Sequence, residues 1–207
     1  MPPPIRLSLH PSVAERRALA ALQAASWRDA YRGVLPDAFL EAPAEAPDGL
    51  AARLVAEWSA LRLATEDLLL TAGPALAPEA FAVILGDPGA SRTVGDAPPE
   101  AEVGPDGQGG PDRLAEPDAQ GGPDGQGGRP YLDHLHVRPD ARGQGLGEAL
   151  LRDAARRLIG RGRTGLWLWV FEVNVGARRF YARLGAQEEL RRRQAPYGQP
   201  QLCVRLG

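Results

Sequence analysis

Val137-Arg138-Pro139-Asp140-Ala141-Arg142-Gly143-Gln144-Gly145-Leu146-Gly147 is a glycine-rich turn between two periodic segments. Before it, Tyr131 to Val137 has the length and composition of a β-strand. After it, Leu146, Leu150, Ala154 and Leu158 recur at helical spacing and predict a helix over Leu146 to Ile159. Gly143, Gly145 and Gly147 remove side chains where the chain reverses, so successive backbone N–H groups can converge on an anion. The helix that follows adds its unsatisfied amides and the positive end of its dipole. Strand, glycine turn and helix together make a pyrophosphate cradle built from backbone, with Arg138 and Arg142 as charges at its rim.

A cradle of that kind suits this chain, whose 24 Lys+Arg are all Arg. Without lysine there is no P-loop lysine, no pyridoxal Schiff base and no kinase ATP lysine. Gly160-Arg161-Gly162-Arg163-Thr164-Gly165 also fits the dinucleotide-binding spacing, but it follows a helix and precedes a strand. That is the reverse of the required context, and it reads as a linker.

Working outward, Ile5, Leu7 and Leu9 alternate with polar residues and predict a first strand over Ile5 to Leu9. Ser12 and Glu15 form a capping box, opening a helix to about Tyr31 with Leu19, Leu22 and Trp27 inward. Leu50, Leu54 and Trp58 mark a second helix from about Gly49 to Leu63. Leu68 to Thr71 and Phe81 to Leu85 read as a hairpin, Leu166 to Val173 as a central strand, Asn174 to Leu184 as a helix and Gln201 to Leu206 as a closing strand. A short strand near Glu188 to Arg191 completes a mixed α/β domain around one sheet. Arg191, Arg192 and Arg193 read as a solvated basic run.

One segment stands apart. Residues 87–129 contain 11 Gly, seven Pro, nine acidic residues and three Arg, and GPDGQGG occurs twice, from Gly104 and from Gly122. So little apolar surface cannot offset the entropy of ordering the chain. The segment is expected to be a flexible acidic loop inserted in a single domain spanning 1–207, with a substrate-covering flap as the functional alternative.

The chain is 207 residues long, 43% hydrophobic and 24% charged, a soluble globular composition with no apolar run long enough to span a membrane. The net charge of -2 argues against a general nucleic-acid binder. The lone Cys203 excludes an internal disulfide and a cysteine-rich zinc site, and the start of the chain does not read as a signal peptide. A reducing, cytoplasmic setting is the expectation.

The stretch from Val137 to Gly147 resembles the acetyl-CoA-binding motif of the GCN5-related N-acetyltransferases (GNAT), whose core is matched by Arg142, Gly145 and Gly147. Asn174, Ala177, Tyr181 and Gly185 are similar in spacing to a second segment of that family, and Trp27 to Pro36 looks like its first-helix region. Ala186 stands where the family usually has Phe, and the insert before the fourth strand is unusually long.

The resemblance implies a central, mostly antiparallel sheet of six to seven strands, flanked by about four helices, with a splay between strands 4 and 5. It implies transfer of an acetyl group from acetyl-CoA to an amine acceptor, with no metal, and a homodimer by the same likeness. The cofactor contacts would be the backbone of Leu135 and Val137, the turn Arg142, Gly143, Gln144, Gly145, Leu146 and Gly147, and Asn174. Tyr181 would donate a proton to the leaving thiolate, against a plain reading as a core aromatic beside Phe180.

The amine must lose a proton, because an alkylammonium is almost wholly charged near neutral pH. Asp133 and His134 rank level as the base, ahead of His136 and Glu172. Strict alternation puts Asp133 with Leu135 and Val137 on one face, and His134 with His136 on the other. A metal pair at His134 and His136 lacks further ligands in the sequence. Against the enzyme stands a non-catalytic acyl-CoA-binding module.

Overall fold

The computed structural model describes residues 3–86, 130–194 and 200–207, with the side chains of 189–194 excepted. The acidic insert at 87–129 and the side chains of the Arg191 to Arg193 run lie outside the described residues.

Among the described residues, seven strands form one sheet in the order β1-β2-β3-β4-β5-β7-β6, where β1 is Ile5–Leu7, β2 Leu68–Ala72, β3 Ala80–Leu85, β4 Tyr131–Val137, β5 Leu166–Phe171, β6 Gln187–Gln194 and β7 Pro200–Leu206. All neighbouring pairs are antiparallel except β4 and β5, which are parallel and share the one registered pair Tyr131↔Trp167. That single pair is the expected splay. Beyond it the two strands part, and their edges line a cleft.

Helices cover both faces. On one, α1 (Val13–Tyr31) and α3 (Leu50–Ala60) pack on Leu69, Phe81, Val83 and Leu85. The capping box at the start of α1 is formed, with Ser12 Oγ accepting from Glu15 N–H and the Glu15 carboxylate accepting from Ser12 N–H. The Trp58 indole donates to Gln23 Oε1 at 2.8 Å, joining α3 to α1 through a buried polar pair. On the other face, α4 (Leu146–Ile159) and α5 (Val175–Arg183) pack on Leu68, Leu70, Ala82 and Leu168. Leu150, Ala154 and Leu158 of α4 are buried, as their spacing predicts. Full burial of each leucine contributes about 1.5–3 kcal/mol.

Several boundaries differ from the sequence expectation. β1 stops at Leu7, leaving Leu9 45% exposed. β5 stops at Phe171, because Asn174 N–H turns back to the Phe171 carbonyl and starts α5. The four-residue α2 (Asp37–Leu40) after Pro36 is too short for periodicity to register. The last helix expected over Asn174 to Leu184 is α5 with those two residues as its caps. Gly160 to Gly165 connects α4 to β5, as a linker should.

One expectation is corrected. The β3–β4 register shifts between Val83, opposite His134, and Ile84, opposite Leu132. Asp133 is therefore the extra residue of a β-bulge. Tyr131 packs with the α1–α3 face while Leu132 and Leu135 pack with the α4 face, so strict alternation fails here. Asp133 does not lie opposite His134: its Oδ2 is 3.3 Å from His134 Nε2.

Candidate active site

A cleft of about 1150 Å³ runs across the splay. One end is floored by the glycine turn. A single 3-10 turn, Pro139–Ala141, carries the chain to Arg142, and Gly143 and Gly145 then adopt φ of +77° and +78°. Such angles strain any side-chain-bearing residue, which explains the two glycines. A Cβ added at either would meet nothing within 4 Å and would project into open space. The first bond of α4 is Ala149 N–H to the Gly145 carbonyl. The amides of Leu146, Gly147 and Glu148 precede it and face out of the helix end. Anion-seeking amides and open space in front of them fit a pyrophosphate. Gly147 serves a different purpose: a Cβ there would press on Phe180 Cζ at 3.3 Å.

The rim arginines are engaged within the protein. Arg138 Nε donates to Asp140 Oδ1 at 2.6 Å, and Arg142 is ion-paired with Asp29 of α1. Gln144 is exposed and does not line the cleft, whereas Leu135, Val137, Arg142, Gly143, Gly145, Leu146, Gly147 and Asn174 do.

The middle of the cleft holds two tyrosines. Tyr181 is 7% exposed, packs edge-on to Phe180 at 5.2 Å and belongs to the core on the α4 side while also lining the cleft. Burial, helped by the neighbouring Tyr31, pushes its phenol far up, so it keeps its proton. Asn174 caps α5 and also reaches across to α1. Its Oδ1 accepts from Ala177 N–H at 3.0 Å, capping α5, and its Nδ2 donates to the Tyr31 hydroxyl at 3.1 Å.

The far end lies between α3 and β4. Here Asp133 and His134 sit together, with the Trp58 ring stacked 6.1 Å from that of His134. His136 lies deeper, its Nδ1 3.3 Å from Ser26 Oγ. Burial, then the charges of His134 and Arg142, lower its pKa well below the usual histidine range, so it is neutral near neutral pH. Glu172 is not among the residues lining the cleft.

Sequence reasoning missed Glu57, Arg53 and Tyr31 as members of this site. Glu57 lines the cleft, paired with Arg53 at 2.9 Å, and burial raises its carboxyl above the usual range despite that partner. Its signal was available: Arg53 and Glu57 fall three and seven residues after Leu50, on the apolar stripe of α3.

The acetyltransferase (GNAT) family model matches residues 115–186. An uncharacterized N-acetyltransferase of Methanocaldococcus jannaschii is 43% identical over 58 residues, 28% of this chain and 26% of that protein. The thialysine N-epsilon-acetyltransferase of Bos taurus is 36% identical over 58 residues, 28% of this chain and 34% of that protein. The matches thus span about a quarter to a third of those relatives. The crystal structure of PaiA N-acetyltransferase from Thermoplasma acidophilum, in complex with coenzyme A, superposes with a TM-score of 0.54 at 15% identity, covering 97% of this chain and 98% of that one.

Proposed function

We propose that the chain is a member of the acetyltransferase (GNAT) family, whose model matches residues 115–186, and that it moves an acetyl group from acetyl-CoA to a primary amine by direct attack on the thioester. The observation that carries this reading is the composition of one cleft. It holds an anion cradle at one end, a protonated phenol in the middle, and a carboxylate–imidazole pair at the other.

The amides of Gly143, Gly145 and the first turn of α4 hold the pyrophosphate. The parted edge of β4, at Leu135 and Val137, offers backbone groups to the amide-bearing arm of the cofactor. Acetyl-CoA bound there supplies the activated acyl group. At the α3 end, Asp133 and His134 together take the proton the amine must lose before it attacks. Their 3.3 Å separation lets the carboxylate stabilise the imidazole when it is protonated. Tyr181 donates its phenolic proton to the sulfur as the C–S bond breaks. The acceptor is a small-molecule or peptide amine entering between α1 and α3. The family's chemistry needs residues from both sides of the insert, which supports one domain over 1–207 with 87–129 as a loop within it.

The test is thiol release from acetyl-CoA with a panel of alkylamines, diamines and lysine peptides, followed with a thiol reagent. Release with at least one amine supports the enzyme. Tight acetyl-CoA binding with no release across the panel overturns it in favour of a binding module.

A further inference from the structure

We propose that Glu57 sets acceptor specificity by binding a second positive charge, so that the preferred acceptor is a diamine whose far ammonium is held at α3 while its near amine meets Asp133 and His134. The inference rests on the acetyltransferase reading and deepens it by naming the class of amine.

Arg53 and Glu57 each fall one position before a buried residue of α3, Leu54 and Trp58, and both line the cleft. Each side chain is 24% exposed, so it belongs neither to the core nor to open solvent. Trp58 fixes this flank of the helix against the base pair. Its indole donates to Gln23 of α1 at 2.8 Å, and its ring stacks on the His134 ring at 6.1 Å. His134 Nε2 is in turn 3.3 Å from Asp133 Oδ2. A line of contacts thus runs from the helix that carries Glu57 to the groups that take the amine's proton.

Among the described residues, the hydrogen bond to Glu57 falls on one oxygen: Arg53 Nε donates to Oε1 at 2.9 Å. A carboxylate has roughly four lone-pair sites, so Oε2 can accept from a donor arriving in the cleft. At this end the described lining has two carboxylates, Glu57 and Asp133, against the guanidinium of Arg53, and that balance favours a cation. Burial raises the Glu57 carboxyl even with Arg53 beside it, so its charge is incompletely solvated. An ammonium on Oε2 supplies what water cannot, and a charge-assisted bond is worth more in such a place than at the surface. The two amines need an apolar spacer, which the cleft also suits. Trp27, Tyr31 and Phe171 wall it in mutual edge contact, with ring centroids 5.1 to 6.4 Å apart.

The experiment measures thiol release by wild type, Glu57→Gln and Glu57→Asp. The acceptors are straight-chain α,ω-diamines, with monoamines and ω-amino acids of matched length. Circular dichroism checks the fold, and calorimetry of acetyl-CoA separates cofactor effects from acceptor effects. In wild type the best diamine should exceed its monoamine in kcat/KM by roughly ten-fold or more. Raising the salt should shrink that advantage. Glu57→Gln should remove most of it through a higher KM for the diamine, and Glu57→Asp, which keeps the charge, should retain part. A merely structural role would lower diamine and monoamine alike. A diamine no better than its monoamine overturns the proposal, as does an advantage that survives Glu57→Gln or is lost equally in Glu57→Asp. A preference for the ω-amino acid also overturns it, because Arg53 would then read the acceptor. Should Glu57→Gln not fold, Glu57→Asp and the salt series decide, and an advantage that neither changes overturns the assignment. All of these outcomes leave the acetyltransferase reading standing. A wild type that binds acetyl-CoA and releases no thiol with any amine overturns that reading and the proposal together.

Discussion

Arg142 of the glycine turn is ion-paired with Asp29 of α1, so the cradle's nearest guanidinium is shared with a carboxylate 113 residues away. Both side chains are about half exposed, at 41% and 50%. A pair so open to water contributes at most about 1 kcal/mol to stability. Its larger effect is on an arriving anion, which must compete with Asp29 for Arg142. Asp29→Ala should therefore leave the melting temperature nearly unchanged and tighten acetyl-CoA binding a few-fold, more at low salt than at high. Calorimetry at two ionic strengths measures this. An affinity that falls would show that Asp29 holds Arg142 in its binding position.

Gly145→Asp should abolish acetyl-CoA binding while the domain still folds. The new Cβ would enter the open space in front of the α4 amides, and the carboxylate would occupy the place of the pyrophosphate. The φ of +78° adds strain of about 1–2 kcal/mol, eased because Asp visits this region more readily than most residues. Circular dichroism should report a folded protein with a modestly lower midpoint. Wild-type affinity in the folded variant would make the turn a structural linker.

Removing residues 100–127 should leave the fold and acetyl-CoA binding intact. Leu85 of β3 lies opposite Tyr131 of β4, so the insert joins strand ends that are already adjacent. Closing a shorter loop between the same ends stabilises slightly, by about 0.6 kcal/mol for each halving. Insoluble protein on deletion would show that the segment contributes to the core. Folded protein that binds acetyl-CoA but has lost turnover would show that it covers the substrate.

His136 should make the fold sensitive to mild acid. Its folded pKa lies below the unfolded value, so below about pH 6.5 the unfolded chain binds a proton that the folded protein refuses. Stability is then unaffected above that pH and falls as pH drops through the window beneath it, by at most about 1.4 kcal/mol per pH unit. The groups that face the ring are Ser26, Phe81, His134 and Arg142, of which His134 and Arg142 add positive charge. Denaturant midpoints of wild type and His136→Asn should converge as pH falls from 6.5 toward 5. Parallel curves would show that His136 protonates in place.

What the sequence made legible was local. The Ser12–Glu15 capping box, the whole of β4 and the apolar stripe of α4 each depend on residues a few positions apart, and each was found where expected. The glycine turn belongs with them, since its positive φ angles follow from residue type. The site was less legible, because its geometry is made by distant partners. Asp133 joins His134 only because β3 imposes a bulge on β4, and no pattern within β4 contains that information. Asn174 caps its helix through a residue three positions on, but its second hand, on Tyr31, depends on how α1 packs across the cleft. The arginines read as phosphate partners are engaged by Asp29 and Asp140, a choice that net charge could not reveal.

The splay also bears on the order in which the molecule is assembled. β1 to β4 form a continuous antiparallel ladder, whereas β5 is tied to it by one pair and to β7 by six. β7 lies between β5 and β6, though it is made after both. During synthesis β6 therefore emerges with no strand to join, and it waits until residues 200–206 insert beside β5. The wall of the cleft that β5 supplies is the last part of the sheet to be secured. A nascent chain stalled just short of β7 would present the open edge of β5 and a wholly unpaired β6 to its neighbours, an aggregation hazard that ends only with the final ladder.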